Sequence, residues 1–430
     1  MLLEFSLRNY RSFRDEHTLS LLAEPDKEHE TTHTAPIPNT GGDRVLRSVA
    51  IYGANASGKT NLLLGLKAMR SIVVHSASQG QRGDAIAPIQ PFRLTKSGRT
   101  SPTAFEVAFL VDEVEYLYGF EATRQRVHSE WLYSYPKGRR RRWFERTYDA
   151  EADADNYRYG ESMEGQKKQI ATATRPNALY LSTAAQLNNE SIAPIFDWFR
   201  EHLQFLHGRE VESATTLSLC EDEDTRRLVT NLLKSADVGI QEMFVEEREI
   251  DFSGLPDHFV DFLDESGTRN QFEQQLAQAI RFQHSGAEGE TGRLDLDDES
   301  HGTQQFFALA GPLLLALASG STLLVDELDA SLHSRLVEEV ISLFHTPKTN
   351  PNGAQLLFNL HDTTPFDRDV LRRDQIWITE KDAEGASELI ALLEYSPRKE
   401  EALEKGYREG RYGGVPVPRI VQKAQLLTDA

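Results

Sequence analysis

The stretch Gly53-Ala54-Asn55-Ala56-Ser57-Gly58-Lys59-Thr60 fits the phosphate-binding pattern G-x-x-x-x-G-K-[ST] at every fixed position. An apolar run at 49–52 precedes it and a helix-like run at 61–67 follows it. A strand, a glycine-rich loop and a helix in this order let backbone N–H groups and the positive helix N-terminus surround a polyphosphate. The sequence therefore predicts a nucleotide-binding loop. The alternative is a glycine-rich turn with an incidental lysine, and the downstream motifs argue against it.

The residues of this loop have expected roles. Lys59 would reach the β- and γ-phosphates, and the Thr60 hydroxyl would ligate Mg²⁺. The residues expected to contact the nucleotide here are Gly53, Asn55, Ser57, Gly58, Lys59, Thr60 and Asn61.

The composition is that of a globular protein with an acidic excess. The 430 residues are 39% hydrophobic and 27% charged, with a formal net charge of −20. This length gives room for one large or two ordinary domains. Since an acidic chain has no overall attraction to nucleic acid, any DNA contact would need a local basic patch.

Cysteine usage and hydropathy predict a cytoplasmic protein without membrane association. Cys220 is the only cysteine, which excludes an intrachain disulfide and suits a reducing compartment. The N-terminus shows no basic-then-apolar signal pattern. One uncharged run, 306–325, approaches the length of a bilayer helix. We expect Pro312 and the cluster at 319–322 to break it into a helix, a turn and a short strand.

The pattern along the chain predicts a split α/β domain. Alternation at 3–7 indicates a strand, and three extended runs between 103 and 146 indicate an antiparallel meander. Residues 150–166 are polar and predict a loop, whereas 184–206 and 224–236 have helical periodicity. The last third alternates helices (306–318, 334–344) with strands (322–325, 355–359, 375–379), which is typical of a mainly parallel sheet covered by helices. We predict four segments: an N-terminal ATPase lobe at 1–150, an inserted, mainly helical arm at 151–290, a C-terminal lobe at 291–395 and a tail at 396–430.

Two acids end the apolar strand at 322–327. In a nucleotide-binding sheet the carboxyl end of such a strand opens onto the phosphates. Asp326 would then hold Mg²⁺, and Glu327 would accept a proton from the attacking water or orient it. The alternative is a solvated turn, which is how many strands end.

Three more sequence fragments are informative mainly because of the order in which they occur along the chain. Ser300 and Gly302 open the helix that begins near 306, where Gly302 permits close backbone approach and Ser300 offers a donor to an anion. The stretch 328–333 follows the two acids, and His361 stands at the end of a later strand. Each fragment alone also fits an N-cap, a turn or a hydrogen-bonded histidine.

In this order the motifs resemble the ABC-type ATPases of the SMC, RecF and OLD kind. The resemblance implies an ABC-type split nucleotide-binding domain with an antiparallel meander and a parallel core flanked by helices, together with ATP and Mg²⁺ as ligands. It implies that two copies close head to tail with ATP in the interface. Ser300 and Gly302 of one copy would face the γ-phosphate in the other, with Asp329 in cross-subunit contacts and His361 as γ-phosphate sensor. The opening Asn9-Tyr10-Arg11-Ser12-Phe13 resembles the strand-then-NFRSF start of these proteins, so Arg11 and Ser12 would lie near the nucleotide.

Three segments, 299–317, 323–344 and 371–414, look more specifically like the RloA/AbiL-like ATP-binding proteins of prokaryotic restriction-associated and abortive-infection loci. This resemblance covers most of the chain. The Ser-His-Gly-Thr stretch is not the LSGGQ form of transporters. The Q-loop glutamine is not assigned: Gln90 is either a Mg²⁺ contact or a surface strand residue.

Two charged clusters lie outside these motifs. The run Lys137–Trp143 is densely basic and either grips phosphate backbones or a phage component, with Trp143 stacking, or is a solvated hairpin tip. The acidic residues Glu380, Asp382 and Glu384 are interpreted as a turn rather than a nuclease site. OLD-type proteins carry a nuclease domain after the ATPase, but only about seventy residues follow His361 here.

Three functions follow from these observations. The first is a slow, regulatory ATPase of antiphage defence. It would form a homodimer or higher homo-oligomer through ATP and control a separately encoded nuclease or toxin, with a phage component or nucleic acid as trigger. The second is a RecF/SMC-like ATPase of DNA repair or recombination. The third is a nucleotide-gated scaffold that hardly turns ATP over, against which Glu327 argues.

Overall fold

The structure, a computed structural model, describes residues 1–207, 211–236, 239–247, 278–287, 290–398 and 401–415. The strands are β1 (Leu2–Arg8), β2 (His17–Ser20), β3 (Thr34–Pro36), β4 (Arg44–Leu46), β5 (Ser48–Gly53), β6 (Thr103–Val111), β7 (Val114–Ala122), β8 (Val127–Ser134), β9 (Arg141–Asp149), β10 (Ala154–Tyr159), β11 (Leu203–His207), β12 (Ile240–Glu247), β13 (Gln278–Ser285), β14 (Thr291–Asp295), β15 (Thr322–Asp326), β16 (Gln355–Asn359), β17 (Ile376–Lys381) and β18 (Ser387–Ala391). The α-helices are α1 (Glu30–His33), α2 (Lys59–His75), α3 (Lys96–Thr100), α4 (Lys167–Ala173), α5 (Tyr180–Gln186), α6 (Ala193–Glu201), α7 (Ala214–Leu219), α8 (Glu223–Ser235), α9 (His301–Ser319), α10 (Ser334–His345) and α11 (Leu403–Arg408).

The chain divides into two compact units. The first comprises the described parts of 1–207, 316–329 and 337–430, and the second those of 208–315 and 330–336. The predicted arm at 151–290 contains helices α4–α8 and strands β10–β13, and its portion 248–277 lies outside the described residues. Much of the predicted tail, from 416 onward, also lies outside them.

The first unit contains the two predicted sheets. A seven-stranded antiparallel sheet has the order β10-β9-β8-β7-β6-β1-β2 and includes the predicted meander. A six-stranded sheet has the order β11-β15-β16-β5-β17-β18, in which the first five strands are parallel and β18 is antiparallel. The predicted fold class, an α/β chain with an antiparallel meander and a parallel core, is confirmed.

Helix α2 follows the phosphate loop and packs in the hydrophobic core of this unit. Its buried side chains recur at three- and four-residue spacing (Leu62, Leu63, Leu66, Met69, Ile72 and Val73), which is the period of one helix face. Gly65 brings the helix close to β1, because a Cβ at this position would lie 3.2 Å from the Leu7 side chain. The helix that begins at Lys59 is thereby anchored by burial of its apolar face.

Two local predictions were wrong. The polar segment 150–166 was expected to be a loop, but its residues 154–159 form β10, which pairs with β9. The helical periodicity at 184–206 was expected to continue, but Leu203–His207 form β11. Both short segments gain ladder hydrogen bonds at the edge of a preformed sheet, and such tertiary pairing overrides weak local preference.

A fully buried ion pair joins the meander to α5. Glu130 accepts hydrogen bonds from the backbone N–H groups of Tyr180 (2.6 Å) and Leu181 (2.9 Å), and both Glu130 and Arg146 side chains are 0% exposed. Arg146 also donates to Asp155 at 2.8 Å. Burial raises the pKa of Glu130, and the Arg146 charge and these donors oppose that rise. The pair holds the first turn of α5 against β8 and β9.

In the second unit, Pro312 lies inside α9 rather than ending it. A proline cannot donate the helical hydrogen bond to the carbonyl four residues earlier, here Ala308. The Thr216 hydroxyl donates to that carbonyl at 3.0 Å and accepts from the N–H of Gly311 at 2.9 Å. Gly311 is needed for this approach, since a Cβ there would lie 2.6 Å from the Thr216 hydroxyl. One buried threonine thus repairs the helix that the proline interrupts.

No helix among the described residues is both long enough and apolar enough to cross a bilayer. The uncharged run 306–325 consists of most of α9, the turn at Gly320 and β15. The prediction of a helix, a turn and a strand is confirmed: the break falls at Gly320, within the predicted 319–322 cluster, and the helix continues through Pro312.

The repair of α9 by Thr216 predicts a specific loss of stability. Thr216→Val keeps the side-chain shape but leaves the Ala308 carbonyl without the donor that Pro312 cannot supply, which should cost about 1–3 kcal/mol. Thr216→Ser, which keeps the hydroxyl, should lose less. Urea unfolding of the three proteins measures the difference, and equal midpoints for Thr216→Val and wild type would contradict this account.

Candidate functional site

The phosphate loop connects β5 to α2 and has the conformation that glycine permits. Gly53 (φ +147°) and Gly58 (φ +125°) both lie where L side chains rarely fit. A Cβ at Gly53 would collide with Thr379, and one at Gly58 would collide with Ser387. Only glycine fits at these two positions, and the loop keeps an open concave face, called the cradle below, for a ligand.

Lys59 points back across this loop. Its ammonium group donates to the carbonyl oxygens of Gly53 at 2.7 Å and Ala54 at 3.3 Å. Burial lowers the pKa of Lys59, while the carboxylates of Asp329, Glu327 and Asp326 raise it. The ammonium therefore lies in reach of the loop and in the field of three carboxylates.

Asp326 at the end of β15 connects to the loop directly. The Thr60 hydroxyl donates to its Oδ1 at 2.9 Å, and the Asn359 side-chain amide donates to the same oxygen. The Asn359 Oδ1 accepts from the N–H of Glu327 at 2.6 Å, and its backbone carbonyl accepts from the N–H of Leu328 at 3.0 Å. One buried asparagine therefore holds the whole turn that follows β15.

Glu327 lies in the left-handed region, with φ +60°. Such a conformation is strained for a non-glycine residue and is typically retained where the surroundings demand it. Here the Asn359 contact holds the backbone, and the Glu327 carboxylate lies 3.9 Å from the His361 Nε2. The Asp329 carboxylate accepts from the N–H groups of His361 and Asp362, both at 2.8 Å. The predicted catalytic pair thus lies on two turns that are tied together.

These groups fit Mg²⁺ and a nucleoside triphosphate. The donor set offers an ammonium group, backbone N–H groups of a glycine loop and a helix N-terminus, which suits phosphate. Thr60 and Asp326 present a hydroxyl and a carboxylate oxygen side by side, and both are ligands that Mg²⁺ prefers. Thr60 and Asp326 would hold the metal, which would supply charge neutralisation between phosphate oxygens.

The predicted N-terminal contacts also lie at the loop. Arg11 donates to the Asn61 side-chain oxygen at 3.3 Å, and the Ser12 hydroxyl accepts from the Asn61 amide at 2.8 Å. The N–H of Arg11 donates to the Gln90 carbonyl at 2.7 Å, which places Gln90 beside this corner. Ser12 also bonds Ser387 at 2.8 Å. The structure therefore brings both Arg11 and Ser12 to the first turn of α2.

The remaining predicted residues have different surroundings. Asn55 is exposed at the tip of the loop, and the Ser57 hydroxyl bonds that of Thr379 at 2.5 Å. Ser300 and Gly302 belong to the second unit. There the Ser300 hydroxyl accepts from the N–H of Thr303 at 3.2 Å, as an N-cap of α9 does.

Sequence reasoning missed Asn359, Ser387, Thr379 and His207. Asn359 ends an apolar strand two residues before His361, and a polar residue there was the available signal. His207 ends β11 opposite Asp326 in the register, and its Nε2 lies 3.8 Å from the Asp326 Oδ2. Nothing local in the sequence indicates that β17 and β18 bring Thr379 and Ser387 to the loop.

The basic cluster forms the exposed tip between β8 and β9. Lys137 and Arg139–Arg142 are all exposed, and Arg139–Arg141 have no ion pair in the described part of the chain. Trp143, which would stack only in the alternative where the run grips a ligand, is already engaged within the protein. Its indole N–H donates to Ser134 at 2.9 Å and its ring packs on Tyr116. The tip therefore has cationic side chains that can contact phosphate, but the Trp143 ring is not available to stack on a base.

The acidic cluster near 382 is a turn between β17 and β18. The Asp382 carboxylate accepts from the N–H groups of Glu384 and Ala386, both at 2.8 Å, and pairs with Arg14 at 3.2 Å. No group of three metal-ligating side chains occurs within the described ranges.

Comparisons with known proteins agree with a nucleotide-binding domain. The family model "AAA domain, putative AbiEii toxin, Type IV TA system" matches residues 48–364, about three quarters of the chain. No curated protein matches the chain significantly.

Among solved structures, the SMC head domain from Thermotoga maritima is similar at 12% identity and a TM-score of 0.42, covering 91% of this chain and 98% of that one. An SMC head bound to the C-terminal winged-helix domain of ScpA has 13% identity and a TM-score of 0.40, covering 90% and 96%. The fold assignment here rests on the strand order described above.

The Asn359 contacts predict how the metal requirement will respond to substitution. Asn359→Ala frees the Asp326 carboxylate and the turn behind it, so the Mg²⁺ concentration for half-maximal ATP hydrolysis should rise about 10-fold, the lower end expected when a ligand's partner is lost. Asn350→Ala, which removes another buried asparagine remote from the loop, is the control for lost stability. A metal titration that is the same for Asn359→Ala and wild type would refute this role.

Proposed function

The chain belongs to the family of AAA domains whose description links it to the AbiEii toxin of type IV toxin–antitoxin systems, and we propose on this premise that it is a slow, regulatory ATPase of prokaryotic antiphage defence. Two copies would close head to tail on Mg·ATP and control a separately encoded nuclease or toxin. The observation that supports this best is the hydrogen-bonded chain from Thr60 through Asp326 and Asn359 to Glu327.

The geometry supports hydrolysis rather than binding alone. Glu327 lies on a turn that Asn359 holds in a strained conformation, with its carboxylate close enough to Lys59 to raise the pKa of that lysine. A carboxylate so placed can orient water and accept its proton. His361, 3.9 Å from that carboxylate, would contact the γ-phosphate. A scaffold that only binds ATP would not need Glu327 held in this way.

Closure of two copies follows from the resemblance of the Ser300 stretch to the signature motif of ABC-type ATPases. Ser300 is exposed and caps α9, a helix of nineteen residues, so its N-terminus can accept an anion from outside. In the proposed dimer that anion is the γ-phosphate bound by Lys59 of the other copy. Asp329 would lie at the same interface.

The proposed dimer predicts that slowing hydrolysis will trap it. Glu327→Gln keeps the side-chain shape but removes the base, so the Mg·ATP-bound dimer should accumulate on size-exclusion chromatography and persist for the run. Lys59→Ala should remain monomeric with ATP, and Ser300→Arg should bind ATP without dimerising. A Glu327→Gln protein that elutes as a monomer with saturating Mg·ATP would rule out head-to-tail closure.

Control of an effector is tested by co-expression with the product of the adjacent gene. The pair should co-purify and protect cells from phage, and Lys59→Ala should abolish protection while leaving expression unchanged. Protection by the Lys59→Ala protein would count against ATP-dependent control.

A second candidate, a RecF/SMC-like ATPase of DNA repair or recombination, is supported by the exposed tip Arg139–Arg142. This function requires DNA-stimulated hydrolysis that falls steeply with salt, because released counterions drive such binding. The antiphage function does not require it. Hydrolysis is measured with and without duplex DNA at two salt concentrations, and the absence of salt-sensitive stimulation would exclude the second candidate.

A further inference from the structure

The C-terminal segment, residues 401–415, lies against the nucleotide site although no function has been assigned to it. Its helix α11 contributes Tyr407, which is 6% exposed. The Tyr407 ring stacks on Phe366, with centroids 5.0 Å apart and planes 19° apart, and its edge meets Tyr52 at 5.6 Å. Tyr52 directly precedes the first glycine of the phosphate loop, and Phe366 follows the His361 turn. Tyr407 therefore packs on both elements at once.

The segment touches the phosphate loop through a pair of glycines. Gly413 (φ +68°) and Gly414 (φ +67°) have left-handed backbones that favour glycine. A Cβ at Gly414 would lie 3.4 Å from the Gly53 Cα, and the Tyr407 hydroxyl donates to the Gly414 carbonyl at 3.1 Å. Burial raises the pKa of Tyr407 to about 12, opposed by a backbone hydrogen bond from Gly53. The protonated hydroxyl thus holds the segment against Gly53.

The other end of the segment is tied to the turn that carries His361. The Thr363 hydroxyl donates to the Glu404 carboxylate at 3.1 Å. Beneath this turn the Tyr52 hydroxyl is buried and has no hydrogen-bond partner in the described part of the chain. Burial raises the pKa of Tyr52, and the nearby carboxylates of Asp362 and Asp329 raise it further. An unpaired buried hydroxyl is costly, and it lies close enough to these carboxylates to feel their charge.

We propose that the C-terminal segment is part of the nucleotide site and clamps the phosphate loop to the His361 turn, with Tyr407 as a positioning residue for ATP. This inference rests on the proposed ATPase function. Gly53 is the first residue of the cradle. Loosening the segment from Gly53 should therefore weaken nucleotide binding equally in the ground state and in the transition state. Loosening the tie at Thr363 instead displaces His361, whose contact matters when the γ-phosphate is transferred. The two ends of the clamp therefore act on different kinetic constants.

The first test compares two tyrosine hydroxyls that each donate to a backbone carbonyl. Tyr407→Phe keeps the stack on Phe366 and removes the contacts of the hydroxyl with the Gly414 carbonyl and the Gly53 backbone. KM for Mg·ATP should rise about fivefold with kcat within twofold, as expected for lost uniform binding worth one hydrogen bond. Tyr159→Phe removes a bond to the Lys167 carbonyl at 3.2 Å, remote from the loop, and should leave both constants unchanged. If the two variants have the same KM, Tyr407 is merely structural and the proposal falls.

The second test acts on the other end. Thr363→Val removes the bond to Glu404 with little change of shape, and kcat should fall about fivefold while KM changes less than twofold. Equal changes in KM and kcat for both variants would contradict the proposal that the two ends act on different kinetic constants.

If the wild type binds but does not hydrolyse ATP, the proposed function fails alone. In that case the dissociation constant of a fluorescent ATP analogue tests the clamp. It should be about fivefold larger for Tyr407→Phe than for the wild type. A wild type that binds no nucleotide refutes both.

Discussion

The carboxylate of Asp326 is the point at which three distant parts of the chain meet. It accepts hydrogen bonds from Thr60, at the start of α2, and from Asn359, at the end of β16. This meeting is possible because β15, β16 and β5 are parallel neighbours, so their carboxyl ends lie at one edge of the sheet. A buried carboxylate is unfavourable without such donors. The site therefore requires the start of α2 together with the ends of β15 and β16, whatever lies between them in the sequence.

The balance of charge at this edge also favours a metal ion beside any bound nucleotide. Lys59 is the cation of the phosphate loop, whereas Asp326, Glu327 and Asp329 all act on it electrostatically. A triphosphate brought to three carboxylates and one ammonium would be repelled. A divalent cation beside Thr60 and Asp326 would offset that excess of negative charge, so it would serve binding as well as chemistry. The single ammonium, which now bonds to loop carbonyls, is then free to turn toward phosphate.

The parts of the fold that were predictable from the sequence are those whose signal is local. The phosphate loop, the two acids at the end of β15 and the alternating strands of the meander each lie within one short window, and the structure has them at the predicted places. Asn359 was missed because its role depends on a neighbouring strand, and β11 because its pairing with β15 outweighs its helical periodicity. The passage of α9 through Pro312 also depends on a distant residue, because the hydroxyl of Thr216, almost a hundred residues away, supplies the missing donor.

The shape of the phosphate loop shows how far its eight residues depend on the rest of the chain. Thr379 bonds the Ser57 hydroxyl, and Ser387 bonds the Ser57 carbonyl at 2.5 Å, so β17 and β18 form the wall behind the loop. The glycines at 53 and 58 are needed because these side chains fill the space where a Cβ would stand. A loop already held on this side loses little freedom when it binds a ligand. The motif predicts a phosphate-containing ligand, but the strand order supplies the side chains that hold the loop in shape. The same eight residues joined to a strand without β17 and β18 beside it would keep the pattern and lose the cradle.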